Sequence, residues 1–258
     1  MTNPLGDPAT PVVVTGGASG IGAACCAALA TVGRPVAVWD VDADRADLVA
    51  GRCRDEHGVA ACALSIDVVD ETAVADGVTS TVGALGSIGG LVHAAGIVRA
   101  ALDDVIDSET WDAVLATHLR AYAFVTRAVL PELRRAGPGS AIVGISSIEG
   151  LVGHGFIPSY TAAKHGMIGL TRSFSHRLGP EGIRANAVCP GFIDTPMLAP
   201  TIETPEARAG FETRVPLGRL GEPEEIARVV RFLLSNESTY LHGAVIVVDG
   251  GVTASGGQ

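Results

Sequence analysis

The sequence predicts a single α/β domain: a doubly wound sheet of seven parallel strands with helices on both faces. Short β-branched runs alternate with longer alanine-rich stretches along the 258 residues, the pattern of strands joined by crossover helices. The runs are apolar throughout, as strands covered on both faces must be. With 47% hydrophobic and 18% charged residues, the chain can bury one sizeable core and is too apolar for disorder.

In chain order, the strands are expected at residues 12–15, 36–39, 60–66, 88–93, 141–145, 184–188 and 244–248. A long helix is expected over 107–135, with Pro131 near its end and Gly137-Pro138-Gly139 closing it. A second long helix should cover 158–178. Between residues 190 and 216 the pattern breaks: five prolines surround a helical patch at 203–214. Such a segment serves more often as a lid or binding loop than as a plain connection. Residues 1–258 therefore read as one domain carrying a 190–216 insertion.

Composition excludes several classes. With 18 basic against 28 acidic residues the net charge is −10, which argues against a general nucleic-acid binder. The longest uninterrupted apolar stretch, 23–30, falls short of the roughly 18–20 residues of a membrane span. The first residues lack the basic start and apolar core of a targeting segment, so the expected location is cytoplasmic. Five cysteines without C-x-x-C spacing, Cys25 and Cys26 adjacent, fit buried thiols. The seven histidines are scattered, and no metal is expected.

After the first strand comes Thr15-Gly-Gly-Ala-Ser-Gly-Ile-Gly22, followed at once by a helix. Glycines turn the chain and let a pyrophosphate approach the amides of a helix N-terminus. The second strand ends on Asp40, twenty residues after Gly20. A carboxylate there can accept from both adenosine ribose hydroxyls and repels a 2′-phosphate, which predicts NAD over NADP. Asp67-Val68, after the third strand, lies on the same sheet edge, where an adenine would rest. A plain loop and a helix N-cap remain the alternative readings of the glycines and of Asp40.

Of the 18 basic residues, 17 are arginine and one, Lys164, is lysine. Arginine replaces lysine wherever only surface charge is wanted, but not where a compact ammonium must reach a small oxygen or tune a neighbour. Tyr160 lies four residues earlier, on the same helix face. An adjacent ammonium lowers a phenol's pKa, so Tyr160 could take the proton of an alcohol as hydride leaves its carbon. Thirteen residues before Tyr160, Ser147 ends the fifth strand, where its hydroxyl could hold the reacting oxygen.

Together these stretches resemble the short-chain dehydrogenase/reductase family in its common branch of about 250 residues. Carrying the resemblance are Thr15-Gly-x-x-x-Gly-Ile-Gly22, Asp67-Val68, Ala95-Gly96, Ser147, Tyr160-x-x-x-Lys164, Asn186-x-x-x-Pro190-Gly191 with Thr195, and Asp249-Gly-Gly251. The resemblance implies a Rossmann-type fold and a homotetramer built on the two long helices. It implies Tyr160 as acid/base, Ser147 orienting the substrate oxygen, and Lys164 lowering the tyrosine pKa and gripping the nicotinamide ribose. Gly16, Ser19, Gly20, Ile21, Gly22, Asp40, Asp67, Val68, Ala94, Ala95, Gly96, Pro190 and Gly191 would line the cofactor, with Ile193 and Thr195 clamping its carboxamide. Leu151, His154, Phe156, Phe192 and Met197 would line a mostly apolar substrate pocket, suiting a small neutral alcohol or ketone. Met167, Ile168 and Leu170 on the Tyr160 helix could serve as core or as interface.

Three positions depart from the family pattern. His93-Ala-Ala-Gly96 stands where Asn-Asn-Ala-Gly is common, and Gly144 where an asparagine precedes Ile-Ser-Ser. His118 occupies the place of the asparagine that usually binds a relay water. Were His118 to take that part, it would add an ionisation near pH 6–7; the alternative is that His118 merely packs or caps inside the helix, with water reaching Lys164 by another route. The leading expectation is an NAD-dependent oxidoreductase interconverting a secondary alcohol and a ketone. A 3-oxoacyl-thioester reductase is the alternative enzyme, and a non-enzymatic dinucleotide sensor the alternative of another class.

Overall fold

The computed structural model describes residues 4–99 and 107–254. Its seven strands, β1 (Val12–Thr15), β2 (Val36–Asp40), β3 (Ala61–Ser65), β4 (Gly90–His93), β5 (Ala141–Ile145), β6 (Arg184–Pro190) and β7 (Val245–Val248), match the expected runs to within two residues at each end. All pair in parallel, in the order β3-β2-β1-β4-β5-β6-β7. Chain direction across the sheet reverses between β1 and β4, and a ligand of an open α/β sheet binds at the carboxyl edge of such a switch point.

Alternate residues of each strand feed opposite cores. Val12 and Val14 of β1 pack with α1 (Gly20–Ala30), α2 (Ala43–His57) and α8 (Pro223–Leu233), through Cys25, Leu29, Ala46, Ile226 and Val230. Val13 faces the other layer, with Trp39, Leu91 and Ile142. That layer is closed by α3 (Glu71–Leu85), α5 (Ala121–Ala136) and α6 (Pro158–Leu178), through Val74, Tyr122, Leu133 and Met167. Met167 and Ile168 are thus core residues, while Leu170 is partly buried against it. Cys25 and Cys26 are fully buried.

At the end of the sheet away from the switch-point edge, two buried arginines bond the last carbonyls of α8. Arg34 reaches Leu234 O (2.8 Å) and Arg184 reaches Leu233 O (2.7 Å) and Ser235 O (3.0 Å). Cations at a helix C-terminus are favourable, and these satisfy carbonyls that a buried helix end would otherwise orphan.

The long helix expected over 107–135 is interrupted. α4 (Ser108–Leu115) passes into a π-helical segment, Ala116–Arg120, and then into α5. Pro131 lies inside α5, and Gly137 ends it. After β6, the 190–216 stretch holds a short 3-10 turn (Ala199–Thr201) and α7 (Pro205–Glu212), which is the expected helical patch shortened by two residues at each end. Among the described residues, no helix is long and apolar enough to cross a membrane.

Candidate active site

The glycine turn joins β1 to α1 at the switch-point edge. Gly16 has φ +65°, and a Cβ on Gly22 would stand 2.0 Å from Gly16 O, so the turn can be this tight only without side chains. Ser19 makes no side-chain capping bond, which leaves the first-turn amides of α1 open to an anion. Asp40, at the end of β2, is pinned from two sides: Ala18 N donates to Oδ2 (3.0 Å) and Asp42 N to Oδ1 (3.1 Å). Asp67 is exposed, taking only the Val69 amide (2.9 Å), and Val68 is buried. Thr195 sits against Gly20, its Cγ2 3.3 Å from where a Cβ would be. Ile193 bridges to Gly221, and Gly191, following Pro190, packs on Asp249. The residues of the expected cofactor cradle therefore lie along one edge, and its bare glycines and open amides fit a dinucleotide. Asn186, by contrast, is structural: it bonds Leu241 O (2.9 Å) and Ala244 N (3.0 Å), tying β7 to β6.

The next part of this edge is formed by β5 and α6. Lys164 is 4% exposed and donates to Ile145 O at 2.7 Å. Its backbone carbonyl accepts from Ser146 Oγ (3.0 Å), which ties that turn of the helix to the strand end. Nζ lies 5.2 Å from the Tyr160 ring centroid. Ser147 caps the next short turn, accepting from Glu149 N at 3.1 Å, and hydrogen-bonds with Tyr160.

The electrostatics differ from those expected of an adjacent ammonium. Burial pushes the Tyr160 phenol up to about 12, a rise that the bond with Ser147 only partly offsets and that the charge of Glu149 increases. Burial also drives Lys164 down to about 7. Desolvation acts against charge on both groups, so in this state Lys164 does not make Tyr160 acidic. Both groups are thus strongly shifted within one helix turn of each other.

The π-helical segment brings His118 to the same site. Its ring stands edge-on to Tyr160, 5.1 Å between centroids, and lies so close over Gly96 that a Cβ there would meet it at 2.2 Å. Nε2 is 2.8 Å from Ile97 O and 3.0 Å from Ile97 N, while Nδ1 is buried without a partner. Burial, then the charge of Lys164, hold its pKa well below 6.5. Were His118 to stand in a proton relay, its ionisation would therefore fall below the expected pH 6–7. π-helical insertions recur at functional sites.

Of the expected pocket residues, Phe192 packs edge-on to Phe211 (5.0 Å), and His154 faces Phe156 (5.8 Å). Leu151, Phe156 and Met197 are exposed, Phe156 by 61%. Two residues outside the sequence-based set neighbour these side chains. Glu149 is 7% exposed with Oε2 unpaired, raised by burial and lowered by His154, Arg214 and His165. Arg214 lies over the rings of Phe192 (4.7 Å) and Phe211 (5.5 Å). A charge two residues after Ser147, within an otherwise apolar run, was a usable signal for Glu149; nothing distinguishes Arg214 among 17 arginines.

Comparison with known proteins agrees with this fold. A family model described as enoyl-(acyl carrier protein) reductase matches residues 16–253. The chain belongs to the short-chain dehydrogenase/reductase family. Its relatives in this family include a 3-oxoacyl-[acyl-carrier-protein] reductase of Thermotoga maritima, 39% identical over 241 residues (93% of this chain, 96% of the relative). Another is the cis-4-hydroxycyclohexanecarboxylate dehydrogenase of Sinomonas cyclohexanicum, 42% identical over 244 residues (94% and 96%). The crystal structure of levodione reductase superposes with a TM-score of 0.91 at 33% identity, covering 96% of this chain and 98% of that one. The protein is thus an oxidoreductase of a family that uses nicotinamide cofactors and acts on CH–OH groups.

Proposed function

We propose that the protein is an NAD-dependent dehydrogenase interconverting a small secondary alcohol and its ketone. The observation carrying this reading is the convergence of Ser147, Tyr160 and Lys164 at one strand edge beside the glycine turn. A bound nicotinamide supplies the hydride chemistry. Tyr160 would give its proton to the ketone oxygen during reduction; in oxidation it would act as the phenolate, which the positive charge of a bound oxidised nicotinamide favours, and Ser147 would hold the same oxygen. Lys164, near 7 in the free protein, is poised to pass a proton on at neutral pH. The α1 amides receive the pyrophosphate, Asp40 the adenosine ribose, Asp67-Val68 and Ala94-Ala95-Gly96 border the bases and ribose, and Ile193 with Thr195 hold the carboxamide. Assembly as a homotetramer and a cytoplasmic location belong to the same reading.

The relatives also include 3-oxoacyl-thioester reductases, which favours a second reading. Against it stand Asp40, which opposes a 2′-phosphate, and the net charge of −10, which repels an acidic carrier protein. The experiment is a matrix of two cofactors and two substrate classes. Faster oxidation of cyclic secondary alcohols with NAD supports the first reading; faster reduction of a 3-oxoacyl thioester with NADPH replaces it with the second. Tight NADH binding without turnover of any substrate would point instead to a dinucleotide sensor.

A further inference from the structure

We propose that the substrate is a compact hydroxy acid, or the matching keto acid, and that Arg214 receives its carboxylate while the carbinol lies at Tyr160. This rests on the dehydrogenase reading above and replaces its neutral substrate with an anionic one.

Three arginines stand in residues 190–225. Arg208 is neutralised by Asp194 (2.6 Å) and Glu212 (3.0 Å), and Arg219 by Glu225 (2.7 Å). Arg214 differs: among the described residues no carboxylate comes within 4.0 Å of its guanidinium. Phe192 and Phe211, themselves locked edge to face, hold the guanidinium instead. Stacking fixes the plane of an arginine and leaves its forked N–H edge available. An edge ordered in advance loses less freedom when an anion binds.

Glu149 stands in the short turn that Ser147 caps. The buried carboxyl of Glu149 is within the electrostatic reach of Arg214 on one side and of Tyr160 on the other. Its Oε2 has no partner, and a buried polar atom left unpaired is costly. The other charged or titratable groups acting on Glu149 are His154 and His165, both able to add positive potential. A carboxylate entering here meets a planar fork suited to bidentate pairing. A neutral alcohol offers the fork no matching anion. The acid takes no part in the redox step; it is the handle that orients the ring or chain.

The test compares cis-4-hydroxycyclohexanecarboxylate and 3-hydroxybutyrate with their methyl esters, in wild type, Arg214→Gln and Arg214→Lys. In wild type, kcat/KM for at least one acid should exceed that of its ester tenfold or more. Arg214→Gln should bring that ratio close to one, mainly through KM, and Arg214→Lys should restore part of it. Independently of turnover, calorimetry should find cyclohexanecarboxylate bound to the wild-type NADH complex and weakened at least tenfold in Arg214→Gln, with NADH binding unaltered. Equal use of acid and ester by wild type would overturn the proposal. So would a loss in Arg214→Gln that is the same for both, or weaker NADH binding, which would assign Arg214 to the cofactor. If no alcohol is turned over, the dehydrogenase reading fails, and the calorimetric difference still decides the role of Arg214.

Discussion

Asp40 should set cofactor choice, and the structure bounds by how much. Both carboxylate oxygens are held by backbone amides, at 3.0 and 3.1 Å, so the charge cannot swing away from an incoming 2′-phosphate. Two unit charges about 4 Å apart repel by about 1 kcal/mol in a water-like dielectric and about 4 kcal/mol at an effective dielectric of 20. At about 1.4 kcal/mol per tenfold, wild type should prefer NAD over NADP by roughly fivefold to seven-hundredfold. Asp40→Asn removes the charge while its amide oxygen can still accept from one of the two backbone groups. That variant should raise the NADP/NAD ratio of kcat/KM at least about fivefold. Val41 is 68% exposed, so an arginine there has room to meet the phosphate, and Asp40→Ala with Val41→Arg should go further. Both cofactors must be assayed with one alcohol at one ionic strength, because salt screens this term. Wild-type use of NADP as readily as NAD, or an unchanged ratio in Asp40→Asn, would refute the reasoning.

Tyr160→Phe should lower kcat by about 10²- to 10⁴-fold while NADH binding by fluorescence stays within a fewfold; retained turnover would remove Tyr160 as acid/base. Lys164→Arg should lose most activity despite keeping the charge, because Nζ is packed 2.7 Å from Ile145 O and 3.7 Å from Met167 Sδ, where a planar guanidinium does not fit; near-normal rates would sink the argument from lysine scarcity. His93 is held by burial down to about 3, so between that value and the ordinary 6.5 the unfolded chain binds more protons than the folded one. Stability should therefore fall as pH drops from 6.5 towards 3, and His93→Gln should flatten the dependence of Tm on pH; an unchanged slope would show that His93 is not the group responsible.

Legibility followed the range of the interactions involved. The strands could be read because a buried parallel strand is a short apolar run, a property of neighbours in sequence. Tyr160 and Lys164 were legible from spacing and from lysine scarcity, and Ser147 from its position at a strand end. The π-helical segment at 116–120 was not: no glycine or proline marks it, and its effect is tertiary, turning His118 onto Gly96 and Tyr160. The tyrosine's raised pKa escaped for the same reason, since the sequence shows the ammonium nearby but not the desolvation that outweighs it. Arg214 gains meaning only from the two rings beneath it.

Two of the three departures from the family pattern form a single packing unit, and this can be measured. His93 and Gly144 are cross-strand partners in the β4–β5 register. The space above Gly144 is filled by Tyr122, so a Cβ there would meet Tyr122 Cζ at 2.9 Å. Tyr122 in turn stacks on His93 at 5.4 Å and bonds Thr171 Oγ1 (3.1 Å). His93 Nδ1 is 3.0 Å from Thr15 Oγ1, which also accepts from Ala95 N (3.3 Å) beside the glycine turn. Gly144→Asn alone must displace a fully buried ring, overpacking that costs about 1–3 kcal/mol. His93→Asn alone gives up the stack and loosens the support of Thr15. With both changes, the space vacated by the imidazole lets Tyr122 move away from the new asparagine. The double variant should thus be more stable than the sum of the single losses by about 0.5–3 kcal/mol, the range of coupling between residues in contact. Urea unfolding of the four proteins measures that coupling. Losses that add to within about 0.5 kcal/mol would mean that the two positions changed independently and that Tyr122 does not connect them.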